Sequence, residues 1–522
     1  MASIVQLNNK NMITKVLTTT NLGLQTQLIE CEVDITPSLP AVIIVGLPDK
    51  AVQESRERIK SAIKQSGYEF PLGKITINLA PADVTKSGSG LDLPMAVGIL
   101  SLMQFITNKI TDKQLFLGEL SLDGKLRACN GILTMCLWAK THGYEEFYVP
   151  ASNIAEAKMV RGIKIFAVES LTQLVDHLNA KELIQPVVPL DLRSYKPIQK
   201  DVLLPNDMAY VKGQTMAKRA LEIAASGGHN VMFIGQPGSG KTLLARAYAG
   251  ILPRMTEDEI LEVTQIYSVA GMLDRQEVKI ERPFRAPHHS CSHIALVGGG
   301  SKLRPGEISL AHRGVLFLDE FPEFSRESIE CLRQPLEDGH VTISRASGSV
   351  EYPSRFYLLA AANPTPSGFD IDDPDAANKP QNRSAIARYQ AKFSGPILDR
   401  IDLQVEVNRP KKDELQSKEL AEHSYEIAQR VQKARDIQTN RFEGQNIFTN
   451  AEMNLSMIQK YCVLDEQSEK LLSQAVDKFK LSARSYIRIL KLSRTIADLE
   501  GVDNVIVKHL AEALQYRGRW GG

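Results

Sequence analysis

Short apolar runs in the middle of the chain predict the buried strands of a parallel sheet. Val231–Ile234, Val315–Leu318 and Phe356–Ala362 are almost wholly apolar and are too short for helices of ordinary length. Strands that are covered by helices on both faces have this appearance. The middle of the chain is therefore predicted to have an α/β fold.

Two other periodicities flank these runs. Ile427, Val431 and Ala434 recur at helical spacing, so one face of an amphipathic helix is predicted there. Within Val341–Tyr352, apolar and polar residues alternate on both sides of a Ser-Gly turn, which predicts a β-hairpin with Arg345 near its tip.

Proline and the change of pattern divide the chain into four parts. Residues 185–205 are rich in proline and weakly periodic, which is typical of a stiff linker. Residues 1–184 form an N-terminal domain in which Lys74–Ala80 is a predicted strand. Residues 206–410 form the predicted α/β core, and residues 411–522 a helical C-terminal domain.

Composition narrows the class of protein without identifying it. The chain has 522 residues and a formal net charge of +1, so any contact with a polyanion must be local. Its six cysteines form no C-x-x-C pair, which predicts reduced thiols and a cytoplasmic location. No apolar run is long enough to span a bilayer, so no membrane partner is expected.

The strongest chemical signal follows the first apolar run. The segment fits G-x-x-x-x-G-K-[ST] in full, and a helical pattern follows it, with the residues Gly235, Gln236, Pro237, Gly238, Ser239, Gly240, Lys241 and Thr242. Such a loop cradles nucleotide phosphates with backbone N–H groups. We expect Lys241 to reach the β- and γ-phosphates of ATP and the Thr242 hydroxyl to ligate Mg²⁺.

Polar side chains end the other two runs. Asp319 and Glu320 follow the second run as a Walker B pattern, with Asp319 on Mg²⁺ and Glu320 on the attacking water. Asn363 ends the third run and is a candidate sensor of the γ-phosphate. An acidic pair at a strand end is also a common turn or helix cap, and Asn before Pro is a common turn starter.

The histidine-rich segment around His288 and His289 also contains Cys291 and His293. These residues fit no common zinc spacing. Polar residues beside a nucleotide pocket need no metal, so no metal site is predicted there.

Taken together, these motifs resemble the AAA+ ATPases, and more narrowly their magnesium-chelatase-like branch, which includes the YifB/ComM family. The resemblance covers nearly the whole chain and is densest in five segments: Phe284–Ser290, Gly298–Gly300, Arg304–Ser309, Ala311–Gly314 and Leu332–Gly339. It implies an AAA+ P-loop core with a C-terminal helical lid and assembly into a homo-oligomeric ring, with six subunits as the family number.

The same resemblance implies roles for two arginines. Arg400 lies in Gly395–Asp402, which is similar to the family segment whose arginine acts on the nucleotide of the neighbouring subunit. Arg484 matches the second sensor, which would touch the γ-phosphate from the lid. A solvated surface arginine is the alternative for Arg400, and Arg488 and Arg494 share the helix of Arg484.

The N-terminal domain resembles the Lon-protease-like, ribosomal-S5-like domain of the family. Lon-type peptidases need a nucleophilic serine and a lysine that activates it. Those positions carry Asp92 and Arg127 here, which argues against peptidase activity, although Lys86, Ser87 and Ser89 lie nearby.

On these grounds we expect a Mg-ATP-dependent ring motor, with DNA branch migration in recombination and natural transformation as the leading function. The candidate DNA contacts are Arg345 on the hairpin and Lys302 and Arg304 in the glycine-rich insertion. One alternative is a chelatase-like or chaperone-like ATPase that remodels a protein. An ATP-dependent protease is a weaker alternative.

Overall fold

The computed structural model contains two large sheets, one in each half of the chain. It describes residues 13–86, 88–191, 205–273, 278–300, 303–345, 348–365, 389, 395–445 and 447–517.

The N-terminal unit is built on a mixed seven-stranded sheet. Its strands are β1 Thr14–Leu22, β2 Gln25–Thr36, β3 Ala41–Val45, β4 Lys74–Ala80, β5 Gln114–Phe116, β8 Glu146–Pro150 and β9 Lys164–Val168, with β6 Glu119–Leu120 and β7 Leu126–Arg127 forming a separate ribbon. The order is β3-β4-β2-β1-β5-β8-β9, and β2 runs antiparallel to both of its neighbours. The α-helices are Lys50–Gln65, Asp92–Leu102, Ile132–Thr141, Ile154–Ala157 and Leu171–Leu178.

The second sheet has five parallel strands in the order β11-β14-β17-β10-β18. These strands are β10 Val231–Ile234, β11 Phe284–Arg285, β14 Val315–Leu318, β17 Tyr357–Ala362 and β18 Leu403–Glu406. Two antiparallel ribbons lie outside the sheet, β12 Gly298–Gly299 with β13 Arg304–Pro305, and β15 His340–Arg345 with β16 Gly348–Pro353. The predicted α/β core and the predicted hairpin are both confirmed.

Helices cover this sheet and continue to the C-terminus. Those of the core are Thr215–Gly227, Lys241–Tyr248, Glu257–Ala270, His293–Val297, Glu307–Leu310, Arg326–Glu330, Arg333–Asp338 and Gly395–Leu398. Those of the C-terminal part are Lys412–Gln416, Ser424–Arg441, Leu455–Tyr461, Glu466–Phe479, Ala483–Leu499 and Val507–Gln515.

The C-terminal helices share one hydrophobic core with the sheet. Helices Ser424–Arg441 and Ala483–Leu499 both pack on helix Thr215–Gly227, and the buried side chains of Phe233 in β10 and Val431 belong to the same cluster. Continuous burial of this kind is the main stabilising term in a fold. In this subunit the C-terminal part is thus joined to the sheet over a broad apolar face.

The N-terminal unit also packs directly on the core. Helix Ile132–Thr141 lies against helix Glu257–Ala270, and their apolar side chains form one cluster. At its edge the buried Glu156 carboxylate accepts hydrogen bonds from Ser268 and, at 2.9 Å, from Asn153. Burial raises the pKa of Glu156, and these hydrogen bonds oppose that rise. The two halves therefore meet through a buried interface of apolar side chains with a hydrogen-bonded carboxylate at its edge.

The start of the predicted linker belongs to the N-terminal unit. The Val187 N–H donates to the Ile165 carbonyl at 2.7 Å, and the Leu190 N–H donates to the Lys158 carbonyl at 2.6 Å. The first residues of the predicted linker thus contact strand β9 and the segment after helix Ile154–Ala157. Residues 192–204 lie outside the described residues.

The turn between β1 and β2 reaches the hairpin of the other half. Leu22 and Leu24 pack beside the buried Val350 and Tyr352 of β16. Gly23 has a φ of 61°, and a Cβ there would lie 2.1 Å from Val350 Cγ1. Only glycine allows this close approach. The hairpin thus rests on the N-terminal unit.

Candidate active site

The phosphate loop connects β10 to helix Lys241–Tyr248, as predicted. Gly238 and Gly240 have φ angles of 78° and 96°, a left-handed conformation that side chains disfavour. At Gly235 a Cβ would lie 2.2 Å from the Val407 carbonyl oxygen. The three glycines are therefore required by the backbone, which turns its N–H groups toward one point.

Lys241 is folded into this loop. Its ammonium donates to the carbonyls of Gly235 at 2.6 Å and Gln236 at 3.0 Å, and to the side-chain oxygen of Asn363 at 3.2 Å. Burial lowers the pKa of Lys241, whereas the nearby carboxylates of Asp319 and Glu320 act in the opposite direction. The structure thus brings Asn363 to the loop, where the sequence placed it.

The residues predicted to hold Mg²⁺ are in contact. The Thr242 hydroxyl donates to Asp319 Oδ2 at 2.8 Å, and the other oxygen of Asp319 accepts from the Glu320 N–H at 2.9 Å. A hydroxyl and a carboxylate oxygen beside a phosphate loop are the donors that Mg²⁺ prefers. The residues present fit the ion.

Glu320 has a partner that the sequence did not reveal. Its Oε2 lies 3.0 Å from Nδ1 of His289, whose ring packs on that of His288 with 4.1 Å between centroids. Glu320 also has a φ of 51°, in the left-handed region that a side chain enters at a cost. Strain of this kind is common where a side chain must be held in one orientation.

A cleft surrounds these groups. Its lining includes Thr242, Asp319, Glu320, His289 and Arg246. Arg246 lies one helical turn after Thr242, so the same helix face presents both. The helical spacing was the only sequence signal for Arg246.

Arg400 lies at the opposite edge of the same sheet. Its carbonyl accepts from the side chain of Asn230 at 2.9 Å, and Asn230 comes directly before β10. Arg400 itself comes before β18, which runs parallel to β10. The phosphate loop follows β10, so the loop leaves the carboxyl edge of the sheet while Arg400 lies at the amino edge.

Arg484 lies beside Arg400. Its guanidinium is 3.0 Å from Glu337 Oε1, and Arg400 forms an ion pair with the same carboxylate. Glu337 lies near the end of helix Arg333–Asp338, just before the hairpin. The hairpin is followed by β17, so Glu337 also lies at the amino edge of the sheet. The helix of Arg484 thus begins at the edge of the sheet opposite to the phosphate loop, and the expected contact of Arg484 with the γ-phosphate stays a prediction.

The other two arginines of that helix have structural partners. Arg494 is buried and pairs with Asp498 at 3.0 Å. Arg488 donates to the carbonyls of Leu398, at 3.3 Å, and Ile401. Of the three, Arg484 has the most accessible guanidinium, with 58% of its side chain exposed.

Two of the candidate DNA contacts lie close together. Arg345 ends strand β15, and Arg304 lies in β13 opposite Gly299. A Cβ on Gly299 would lie 3.7 Å from a terminal nitrogen of Arg345, so the hairpin tip lies against the short ribbon. The Tyr352 hydroxyl also donates to the Leu303 carbonyl at 2.7 Å. Lys302 lies outside the described residues.

Comparison with known proteins gives the family. The profile described as "Magnesium chelatase, subunit ChlI" matches residues 207–415, and its C-terminal counterpart matches residues 421–517. "Competence protein ComM" of Haemophilus influenzae is 41% identical over 499 residues, which is 95% of this chain and 96% of that protein. The chain belongs to the YifB/ComM family of magnesium-chelatase-like AAA+ ATPases.

Other relatives set the extent of this family. "Uncharacterized protein YifB" of Escherichia coli is 39% identical over 497 residues, 95% of each chain. "Magnesium-chelatase subunit ChlI-2, chloroplastic" of Arabidopsis thaliana is 22% identical over 298 residues, 53% of this chain and 65% of that protein. The similarity to ComM and YifB therefore covers 95% of this chain, whereas the similarity to the chelatase subunit covers 53% of it.

Several family motifs have structural roles here. Arg285 donates to both carboxylate oxygens of Glu307, at 2.6 and 2.7 Å, and so ties β11 to the segment after the short ribbon. Glu262 accepts from His312 at 3.0 Å and from Arg313 at 2.8 Å. Burial raises the pKa of Glu262, but these two donors outweigh it and lower the value to about 2.

In the N-terminal unit of this YifB/ComM protein, Asp92 is structural. Its side chain is 0% exposed and accepts from Arg58 at 2.8 and 3.1 Å and from the Leu120 N–H at 3.2 Å. Arg127 lies on the surface, 3.9 Å from Glu119. The Asp92 position therefore offers no nucleophile. Residues 31–153 match a further profile, "Subunit ChlI of Mg-chelatase", and the Lon-like assignment stays a prediction.

In the part of the chain that the structure describes, no group of three or more His, Cys, Asp or Glu side chains is arranged to hold a metal ion, the histidine-rich segment included. No helix there has the length and apolarity needed to cross a membrane.

Proposed function

We propose that this protein is a cytoplasmic, Mg-ATP-dependent ring motor that moves branch points in DNA. The observation that supports the DNA part is that two exposed arginines, Arg345 and Arg304, lie on two ribbons that contact each other. Guanidinium groups on backbone ribbons suit a phosphate chain, which is recognised by charge without regard to sequence.

Hydrolysis is assigned to groups at the carboxyl edge of the sheet. Lys241 neutralises the phosphate charge, and Asn363 fixes the ammonium from the other side. Glu320 orients the attacking water and accepts its proton. Thr242 and Asp319 would hold Mg²⁺, which would supply charge neutralisation there.

A ring completes this site from the neighbouring subunit. Arg400 and Arg484 lie at the amino edge, away from the phosphate loop of their own chain. Side chains at that edge reach a nucleotide only when a second copy presents its carboxyl edge. We therefore propose that both arginines act in trans, in a homo-oligomer whose expected number is six.

The test is ATP-driven movement of a labelled three-strand or Holliday-type junction by the purified protein. Glu320→Gln is the control, since it should bind ATP and assemble but turn over about 10² to 10⁴ times more slowly. Movement that depends on Glu320 supports a DNA motor. ATP hydrolysis that DNA leaves unchanged, without junction movement, would favour the protein-remodelling alternative.

A second variant tests the DNA surface itself. Arg345→Ala should weaken DNA binding similarly for all sequences and reduce the slope of log affinity against log salt by about one. Arg56→Ala, an exposed arginine on helix Lys50–Gln65, is the matched control. Equal effects of the two substitutions would count against the ribbon surface.

A further inference from the structure

Glu337 is the point where the two trans arginines meet. Its carboxylate pairs with Arg400 and with Arg484, although these residues belong to separate segments of the chain. The Arg400 side chain is 11% exposed, that of Glu337 45%, and that of Arg484 58%. The cluster thus runs from a nearly buried guanidinium outward to solvent.

The charges at this cluster are unfavourable within their own helices. Arg484 lies in the first turn of helix Ala483–Leu499, which contains no acidic residue, and Glu337 lies in the last turn of helix Arg333–Asp338. The helix dipole disfavours a cation at the first position and an anion at the second. Each charge offsets the misplacement of the other.

Backbone contacts hold the two arginine segments in register. Arg488, one turn after Arg484, donates to the carbonyls of Leu398 and Ile401, which flank Arg400 closely. It also donates to Ser485 at 2.9 Å. The start of the last long helix and the segment that carries Arg400 are therefore fixed to each other, and Glu337 is the acidic group between them.

We propose that Glu337 is a positioning residue that holds Arg400 and Arg484 together at the amino edge and so presents both to the nucleotide of the adjacent subunit. Two guanidinium groups repel each other, and one carboxylate between them removes most of that repulsion. The inference rests on the proposed ring ATPase and adds to it the group that organises its trans face.

An ordinary surface ion pair is the alternative, and such pairs contribute little. The two explanations predict different effects of Glu337 on ATP hydrolysis. A positioning residue affects hydrolysis by the neighbour and leaves nucleotide binding by its own subunit intact. A surface ion pair affects neither.

The experiment measures ATP hydrolysis by the full-length chain with Glu337→Ala and Glu337→Gln. We expect Glu337→Ala to slow turnover by about 10- to 100-fold, since a misplaced catalytic group costs that much. Binding of a fluorescent ATP analogue should stay unchanged. Glu330→Gln, which breaks the neighbouring pair with Arg333 at 2.7 Å, is the matched control and should keep the wild-type rate.

Mixed rings locate the defect. Lys241→Ala subunits have an inactive phosphate loop but intact arginines, so they should activate a Glu337→Ala neighbour. With random mixing in equal amounts, about one interface in four combines a working loop with working arginines, and the rate should recover to about a quarter of wild type. A subunit that had failed to fold would not be rescued.

Each outcome bears on a different claim. A wild-type rate for Glu337→Ala, or no recovery in its mixture when the Arg400→Ala mixture does recover, overturns the role of Glu337. Failure of the Arg400→Ala mixture as well, under conditions where rings form, counts against the proposed trans ATPase instead.

Discussion

The carboxyl and amino edges of the five-stranded sheet differ in how their functional residues are arranged along the chain. At the carboxyl edge, Asp319 and Asn363 directly follow β14 and β17, and Lys241 ends the loop that follows β10. At the amino edge, Glu337, Arg400 and Arg484 come from three segments that are far apart in the chain. We propose that one edge binds a nucleotide with its own residues and that the other contacts the nucleotide of a neighbouring subunit.

This difference explains why the residues at the carboxyl edge follow from sequence motifs, whereas the cluster at the amino edge does not follow from residue spacing. Strand ends in a parallel sheet fall at one edge, so consecutive motifs converge by topology alone. The amino-edge cluster depends on how the last long helix packs. Its members have no fixed spacing along the chain.

The largest expected effect separates the two edges directly. Arg400→Ala should lower kcat by about 10³ to 10⁵, because it removes charge stabilisation from the transition state on the neighbour. Lys241→Ala should instead abolish ATP binding in its own subunit. Steady-state hydrolysis and binding of a fluorescent ATP analogue distinguish these losses.

Arg400→Lys tests whether the guanidinium shape matters at this edge. Lysine keeps the charge but not the planar fork of donors. A lysine variant with full activity would mean that Arg400 supplies only general charge. Weak nucleotide binding by Arg400→Ala would place this residue at the nucleotide of its own subunit. That result would contradict the proposed difference between the two edges.

A smaller effect is expected at the carboxyl edge from His289→Ala. The contact between His289 and Glu320 competes with the role of Glu320 toward water, so its removal should raise the ATPase rate without DNA by about two- to fivefold, the worth of one exposed charged pair. The rate is measured with and without DNA. His288→Ala is the control, because His288 bonds to Ser290 at 2.8 Å. A lower rate in the His289 variant would contradict this restraint.

The smallest effect concerns stability at the amino edge. The folded-state pKa of Glu262 is about 2, below its ordinary value, so Glu262 stabilises the fold at pH above about 4.5 and loses this contribution as pH falls toward 2. The pair is partly exposed, so screening keeps the gain small, about 2–4 °C in melting temperature at neutral pH.

Glu262→Gln is the test. The difference in melting temperature between wild type and this variant should shrink as the pH is lowered from about 7 to about 3. His312 and Arg313 face Glu262, and burial lowers the pKa of His312, so the variant rather than the wild type alone must be followed. A difference that stays constant over this range would contradict the assignment.

Much of the fold was predictable from local patterns. Val231–Ile234 and Val315–Leu318 are strands with the bounds that the apolar runs gave, and the hairpin around Arg345 forms as alternation predicted. These elements depend on the pattern of a few neighbouring residues, so the local sequence is enough to predict them.

Long-range contacts were not predictable in the same way. Neither the contact of His289 with Glu320 nor the position of Arg484 follows from any spacing, since each depends on packing between distant segments. The contacts at the start of the predicted linker are of the same kind. Val187 donates to the Ile165 carbonyl of β9, because an edge strand offers free carbonyls, and Leu190 donates to the Lys158 carbonyl after helix Ile154–Ala157.

The glycine turn at Gly23 has a mechanical consequence. Tension on Arg345 would pass along β16 to Val350 and Tyr352, and from there through Leu22 into the long antiparallel pair β1–β2. Force along this path would be shared by the many backbone hydrogen bonds that join β1 to β2. In the proposed DNA motor, the first sheet would therefore serve as a rigid support for the hairpin, and a chain shortened to residues 206–522 would lack that support.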